Sequence, residues 1–224
     1  MPPDAVLKIG GSIGRGRQLA GLCGDIGRLG ARYSLLVVPG GGEFADTVRK
    51  AYRTYNLGET AAHSMALLAM DQFGYLLHDL IDNSSLHAEM GSAVRALEAG
   101  GVAVLLPSIQ VLRDSGLPHS WEVTSDSVAA WVARETGCRR LILLKDVDGL
   151  YTPESLHSGC PECISEMTVS QLKRHSGGVD EYLAGLLASE RMETWIVNGS
   201  RHARLAELLA SGRTTGTRVV PASV

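Results

Sequence analysis

Apolar positions along this chain fall into short unbroken runs separated by stretches of helical spacing, and the two patterns alternate almost from end to end. Ala5-Val-Leu-Lys-Ile9 is a run of buried-strand type closed by Gly10-Gly11. Residues 18–30 place apolar side chains three and four apart and stop on glycine, which predicts an amphipathic helix. Ser34-Leu-Leu-Val-Val-Pro39 predicts a second buried strand, and Gly40-Gly41-Gly42 then opens a helix over 43 to about 55. A longer helix is predicted from 59 to about 82. Strands follow at 102–106, 140–144, 194–197 and 217–220, with helices at 127–136 and 201–211.

Strands that alternate with helices build βαβ units, so the expected fold is α/β, three layers (αβα) around a mainly parallel sheet. Glycines collect at the C-terminal ends of the strands, where open α/β sheets bind ligands. Only 113–118 and 152–162 are turn-rich interruptions, and no repeat or low-complexity tract intervenes. One domain over 1–224 is expected, with a soft division near 118–120.

Composition narrows the function. A net charge of −3, from 21 basic and 24 acidic residues, argues against nucleic acid as a partner. No apolar run approaches the roughly 18 residues of a membrane span. Met1-Pro-Pro-Asp-Ala-Val-Leu-Lys8 enters a strand pattern at once without the apolar core of a signal peptide, so a cytoplasmic address is expected. Four cysteines in this length are no disulfide framework. Cys160-Pro-Glu-Cys163 has the spacing of half a zinc site, but a loop of reduced thiols is expected, and no protein metal-ligand set is assigned.

Four segments carry candidate chemistry. Lys8 lies inside an apolar strand, where an isolated ammonium is costly, and the glycines that follow let backbone amides approach an anion. Gly40-Gly41-Gly42 feeds a helix N-terminus, where free amides and the positive dipole end converge. In Thr124-Ser125-Asp126-Ser127, Thr124 or Ser125 can cap a helix and Asp126 suits its first turn. Lys145-Asp-Val-Asp-Gly-Leu-Tyr151 ends a strand with charge beside glycine, which is either turn chemistry or a place for ribose hydroxyls, magnesium and an adenine ring. The Walker P-loop pattern is absent.

Taken in order, Lys8–Ser12, Gly40–Gly42, Thr124–Asp126, Asp146–Tyr151 and Gly216-Thr217 resemble the landmarks of the amino acid kinase family over essentially the whole chain. The resemblance implies transfer of the γ-phosphoryl group of ATP, with Mg2+, to a carboxylate, carbamate or phosphate. It implies an acceptor half of about 1–118, an MgATP half of about 119–224, and homo-oligomers. Lys8 and Asp126 become the catalytic candidates, the lysine stabilising the transferring phosphoryl and the aspartate organising the charges around it. Gly10, Gly11, Lys145, Asp146, Asp148, Gly149 and Tyr151 are the candidates on the ATP side. Gly41, Gly42, Asp71, Trp121, Glu122 and Thr124 are the candidates on the acceptor side.

Ser176-Gly-Gly-Val-Asp180 lacks the second lysine that several members carry there, which weighs against acetylglutamate and isopentenyl phosphate as acceptors. Lys145 or Lys173 is the expected replacement. Pro118-His-Ser-Trp-Glu-Val-Thr-Ser-Asp126 also departs from the glycine-rich segment of uridylate kinases. It resembles, as does Ala69-Met-Asp-Gln-Phe73, the branch that makes a diphosphate from an aminomethylfuran phosphate in methanofuran biosynthesis. Trp121 would offer a face to the furan, and Glu122 or Asp71 a carboxylate to its amine. A uridylate kinase or another small-acceptor kinase is the alternative, and a nucleotide-binding or molybdate-storage protein without catalysis is the alternative class.

Overall fold

The structure is a computed structural model that describes residues 1–13, 17–152, 155, 162–175, 177–189 and 192–221. The first half runs β1 (Ala5–Ile9), α1 (Arg17–Gly30), β2 (Ser34–Pro39), α2 (Gly42–Tyr55), α3 (Glu59–Leu80), β3 (Ser84–His87), α4 (Met90–Ala96), β4 (Gly101–Leu105) and α5 (Ser108–Asp114). The second runs α6 (Ser125–Glu135), β5 (Arg140–Lys145), β6 (Glu166–Thr168), α7 (Val169–Leu172), α8 (Leu183–Ala188), β7 (Glu193–Asn198), α9 (Ala203–Ser211) and β8 (Thr217–Val220). The strands form one eight-stranded sheet in the order β3-β4-β2-β1-β5-β7-β8-β6. Its pairings are parallel except β7 with β8.

Side chains alternate across the sheet with period two, so each central strand feeds two cores. Ala5, Leu7 and Ile9 pack toward α1, the second half of α3, and α9. Val6 points the other way, to α6 and α8, with Leu141 and Leu143 of the neighbouring β5. The same alternation sends Lys8 and Lys145 to the α6 face. In register, Lys8 sits beside Leu143 and Ile9 beside Leu144, so the two lysines come out diagonally adjacent at the ends of their strands.

Strand order decides what that position means. From β1 the chain winds outward through β2 to β4 and β3, then returns across β1 to β5 and winds the other way. The carboxyl ends of β1 and β5 are therefore the point where the winding reverses, and a crevice opens there in doubly wound sheets. Among the described residues no helix is long and apolar enough to cross a membrane.

Candidate active site

Lys8 and Lys145 converge on a single carboxylate. Asp126, in the first turn of α6, receives Lys8 Nζ at 2.8 Å on Oδ1 and Lys145 Nζ at 2.6 Å on Oδ2. Lys8 is 5 % exposed and Asp126 2 %. Burial lowers the pKa of Lys8 from the ordinary lysine value, and Lys145 adds to that against the pull of Asp126. Burial also opposes the charge on Asp126, but the two ammoniums outweigh it and hold the carboxyl below its usual range. Two ammoniums thus share one carboxylate in a nearly dry place, and the Asp180 carboxylate also acts on Lys8.

Asp126 is fixed by the local chain. Thr124 is the N-cap of α6, and its Oγ1 accepts from the Asp126 amide at 3.3 Å. Thr124 is itself held by Asp180, whose Oδ2 accepts from the amide and hydroxyl of Thr124 and from the amide of Ser127. Asp180 Oδ1 takes the Ser127 hydroxyl and the Leu183 amide. Asp180, in the segment that lacks a second lysine, thus clamps α8 to the start of α6. Lys145 bonds Asp126, and Lys173 is exposed after α7.

The glycine loops close the centre from the other side. A Cβ on Gly11 would lie 2.5 Å from Gly42 Cα, and one on Gly40 would meet Ile9 O at 2.9 Å and Ser125 Oγ at 3.4 Å. The loops after β1 and β2 and the N-terminus of α6 therefore touch, and only glycine permits it. Gly42 has φ +54°, in the left-handed region that glycine tolerates. Among the described residues the amides of Gly11 and Ser12 enter no hydrogen bond.

The loop after β5 gathers the other candidates of the ATP side. Asp148 accepts from Arg204 at 2.6 Å and Asn198 at 2.8 Å, and these bonds lower its pKa. A Cβ on Gly149 would strike Cys163 Sγ and Thr217 Oγ1, so this glycine admits the start of β8 beneath the loop. Asp146 is exposed, and Tyr151 is half-buried, with its carbonyl 2.9 Å from His175 Nε2. Arg204 and Asn198 were not singled out from sequence, and nothing in their neighbours marks them. No group of three or more metal-ligating side chains occurs among the described residues; Cys160 lies outside them.

Beside Gly41 and Ser125 a cavity opens between α2, α3 and the segment that leads into α6. Its apolar floor includes Ala45, Leu67, Met70, Val123 and Val128, and Thr124 reaches its rim. Trp121 forms a wall, edge-on to Tyr52 at 5.4 Å, with the Arg49 guanidinium 5.8 Å over its ring. Two expected acceptor contacts are not brought there. Asp71 lies one helical turn beyond Leu67, where α5 starts, and its carboxylate accepts from the amide and hydroxyl of Ser108. Glu122 is exposed, because the backbone that turns Trp121 and Val123 inward turns it out. The acid that does line the cavity is Glu59, with His63 one turn on, and the helical spacing of 59, 63, 67 and 70 was the available signal.

The amino acid kinase family signature spans residues 5–198 of this sequence. The chain belongs to the amino acid kinase family. It is a kinase, and the family uses ATP. It is 29 % identical over 186 residues, 83 % of each protein, to the [5-(aminomethyl)furan-3-yl]methyl phosphate kinase of Methanocaldococcus jannaschii. It is 26 % identical to the molybdenum storage protein subunit beta of Azotobacter vinelandii, over 97 % of this chain and 86 % of that one. The fold is that of the uridylate kinase of Archaeoglobus fulgidus, with a TM-score of 0.79 over 98 % of this chain and 100 % of that one, at 19 % identity.

Proposed function

We propose that the chain transfers the γ-phosphoryl group of ATP to the phosphate of a small aminomethylfuran phosphate, giving ADP and a diphosphate for methanofuran biosynthesis. The observation that carries the reading is the pair of ammoniums, Lys8 and Lys145, brought together on Asp126 beside a cavity with an aromatic wall. An oxygen of the acceptor phosphate bonds to the γ-phosphorus as the bond to the β,γ-bridging oxygen breaks, and ADP leaves with the electron pair. The attacking oxygen is already anionic, so no general base is required. Lys8 and Lys145 neutralise the charge spread over the transferring group, while Gly11 and Ser12 offer amides to phosphate oxygens. Magnesium, brought in with ATP, would neutralise further phosphate charge.

The halves of the chain divide the work in this reading. Residues of about 1–118 hold the acceptor, with Arg49 as the cavity's cation, and about 119–224 hold the nucleotide around Asp148, Gly149 and Tyr151. The enzyme acts in the cytoplasm, where ATP is made available. It assembles as a homo-oligomer through α3 and α5, which leave Met65, Leu68, Tyr75, Ile109 and Leu112 exposed.

The test is ADP release by the purified protein with ATP and magnesium, comparing the furan phosphate with UMP. Acceptor-dependent ADP with the furan phosphate is expected. Efficient turnover of UMP alone would make this a uridylate kinase, and tight ATP binding without ADP from either would favour a storage or binding protein.

A further inference from the structure

The cavity holds two charged side chains of opposite sign, Arg49 from α2 and Glu59 from α3. Arg49 is paired with Asp46 at 2.7 Å and stacks over Trp121. Glu59 opens α3, and His63 follows on the same face one turn later. His63 is 7 % exposed, yet its Nε2 has no hydrogen-bond partner among the described residues. The ring stacks on His119, with centroids 5.0 Å apart. Burial, with His119 beside it, holds the imidazole below its usual range, so the ring is neutral near pH 7. A neutral imidazole has one N–H and one lone pair. With the N–H on Nδ1, the lone pair lies on the orphaned Nε2.

A carboxylate and a buried lone pair on one helix face, with an indole in the same cavity, form a set that accepts hydrogen bonds and attracts positive charge. We propose that Glu59 and His63, with Trp121, form an ammonium subsite that reads a primary amine on the phosphate acceptor. The inference rests on the acceptor reading above and deepens it: the acceptor carries a cation at one end and a phosphate at the other. Uridylate has no such cation and leaves Glu59 and His63 without a task.

The test compares two acceptors, the aminomethylfuran phosphate and its counterpart with a hydroxymethyl group in place of the aminomethyl. Each is assayed with the wild-type chain, with Glu59→Gln and with His63→Phe, which keeps a ring against His119. Wild type should prefer the amine by about 10- to 100-fold in kcat/KM, the range of a hydrogen bond to a charged group. Each variant should lose most of that preference, through the acceptor KM and not through the KM for ATP. An undiminished preference in both variants overturns the subsite and leaves the acceptor reading standing. A wild-type chain inactive on both furan phosphates but active on UMP overturns the acceptor reading and the subsite with it.

Discussion

Lys8 is the residue on which stability and function pull in opposite directions. Its folded pKa lies below the unfolded value, so the unfolded chain binds that proton more tightly and the charged form costs stability at neutral pH. Lys8→Met keeps the length of the side chain and leaves Asp126 paired with Lys145. The variant should hold or raise Tm while kcat falls by roughly 10²- to 10³-fold, the scale for losing one charge-stabilising donor. Thermal melts and steady-state rates on the same preparation check both halves, and near wild-type turnover would remove Lys8 from the chemistry.

The same residue predicts a pH profile. The protonated ammonium is the useful form, so kcat/KM should fall as pH rises through the lowered pKa of Lys8, at a value below 10.5. Bound phosphates favour the charged form, so the alkaline limb of kcat should lie above that of kcat/KM. An alkaline limb of kcat/KM at or above 10.5 would contradict the burial of Lys8.

At the scale of elements, α6 is the part whose placement matters most, and Asp180 holds it. Asp180→Ala leaves the amide and hydroxyl of the fully buried Ser127 without their acceptor, at a cost of about 2 kcal/mol. The helix start, and Asp126 with it, should shift, so both the urea midpoint and kcat should drop in urea melts and rate assays. Unchanged values for both would show that the clamp is dispensable. This element also shows where the sequence was legible. Thr124 and Asp126 could be read as cap and first turn because capping is local chemistry. Asp180 could not, because its partners Thr124 and Ser127 lie more than fifty residues away and its neighbours announce only a glycine turn.

The strands follow the same rule. Central β1, β2, β4, β5 and β7 are buried on both faces and read as continuous apolar runs. The edge strands β3 and β6, Ser-Ser-Leu-His and Glu-Met-Thr, carry the polar residues that edges need and passed unnoticed. Short α4, α7 and α8 offer too few turns for a periodic signal. Asp71, expected on the acceptor, instead receives the first amide of α5, a helix the sequence pattern does not predict.

At the scale of the molecule, α3 and α5 leave an apolar face that one subunit does not cover. Leu68 is 51 % exposed, Tyr75 59 % and Ile109 60 %, and α3 packs against α5. Patches of this kind mark interfaces. Wild type should sediment as a dimer or larger, and the double variant Leu68→Glu/Tyr75→Glu as a monomer. A wild-type monomer at micromolar concentration would contradict the homo-oligomer.

The central claim is that the paired lysines on Asp126 deliver a phosphoryl group onto another phosphate. The most direct measurement is the 31P NMR spectrum of the reaction of ATP and magnesium with the aminomethylfuran phosphate. A new pair of mutually coupled phosphorus signals, growing with ADP in equal amount and absent with Lys8→Met, is the predicted result. Loss of ATP with only free inorganic phosphate, or coupled signals from UDP when UMP is supplied and none from the furan phosphate, would contradict the account.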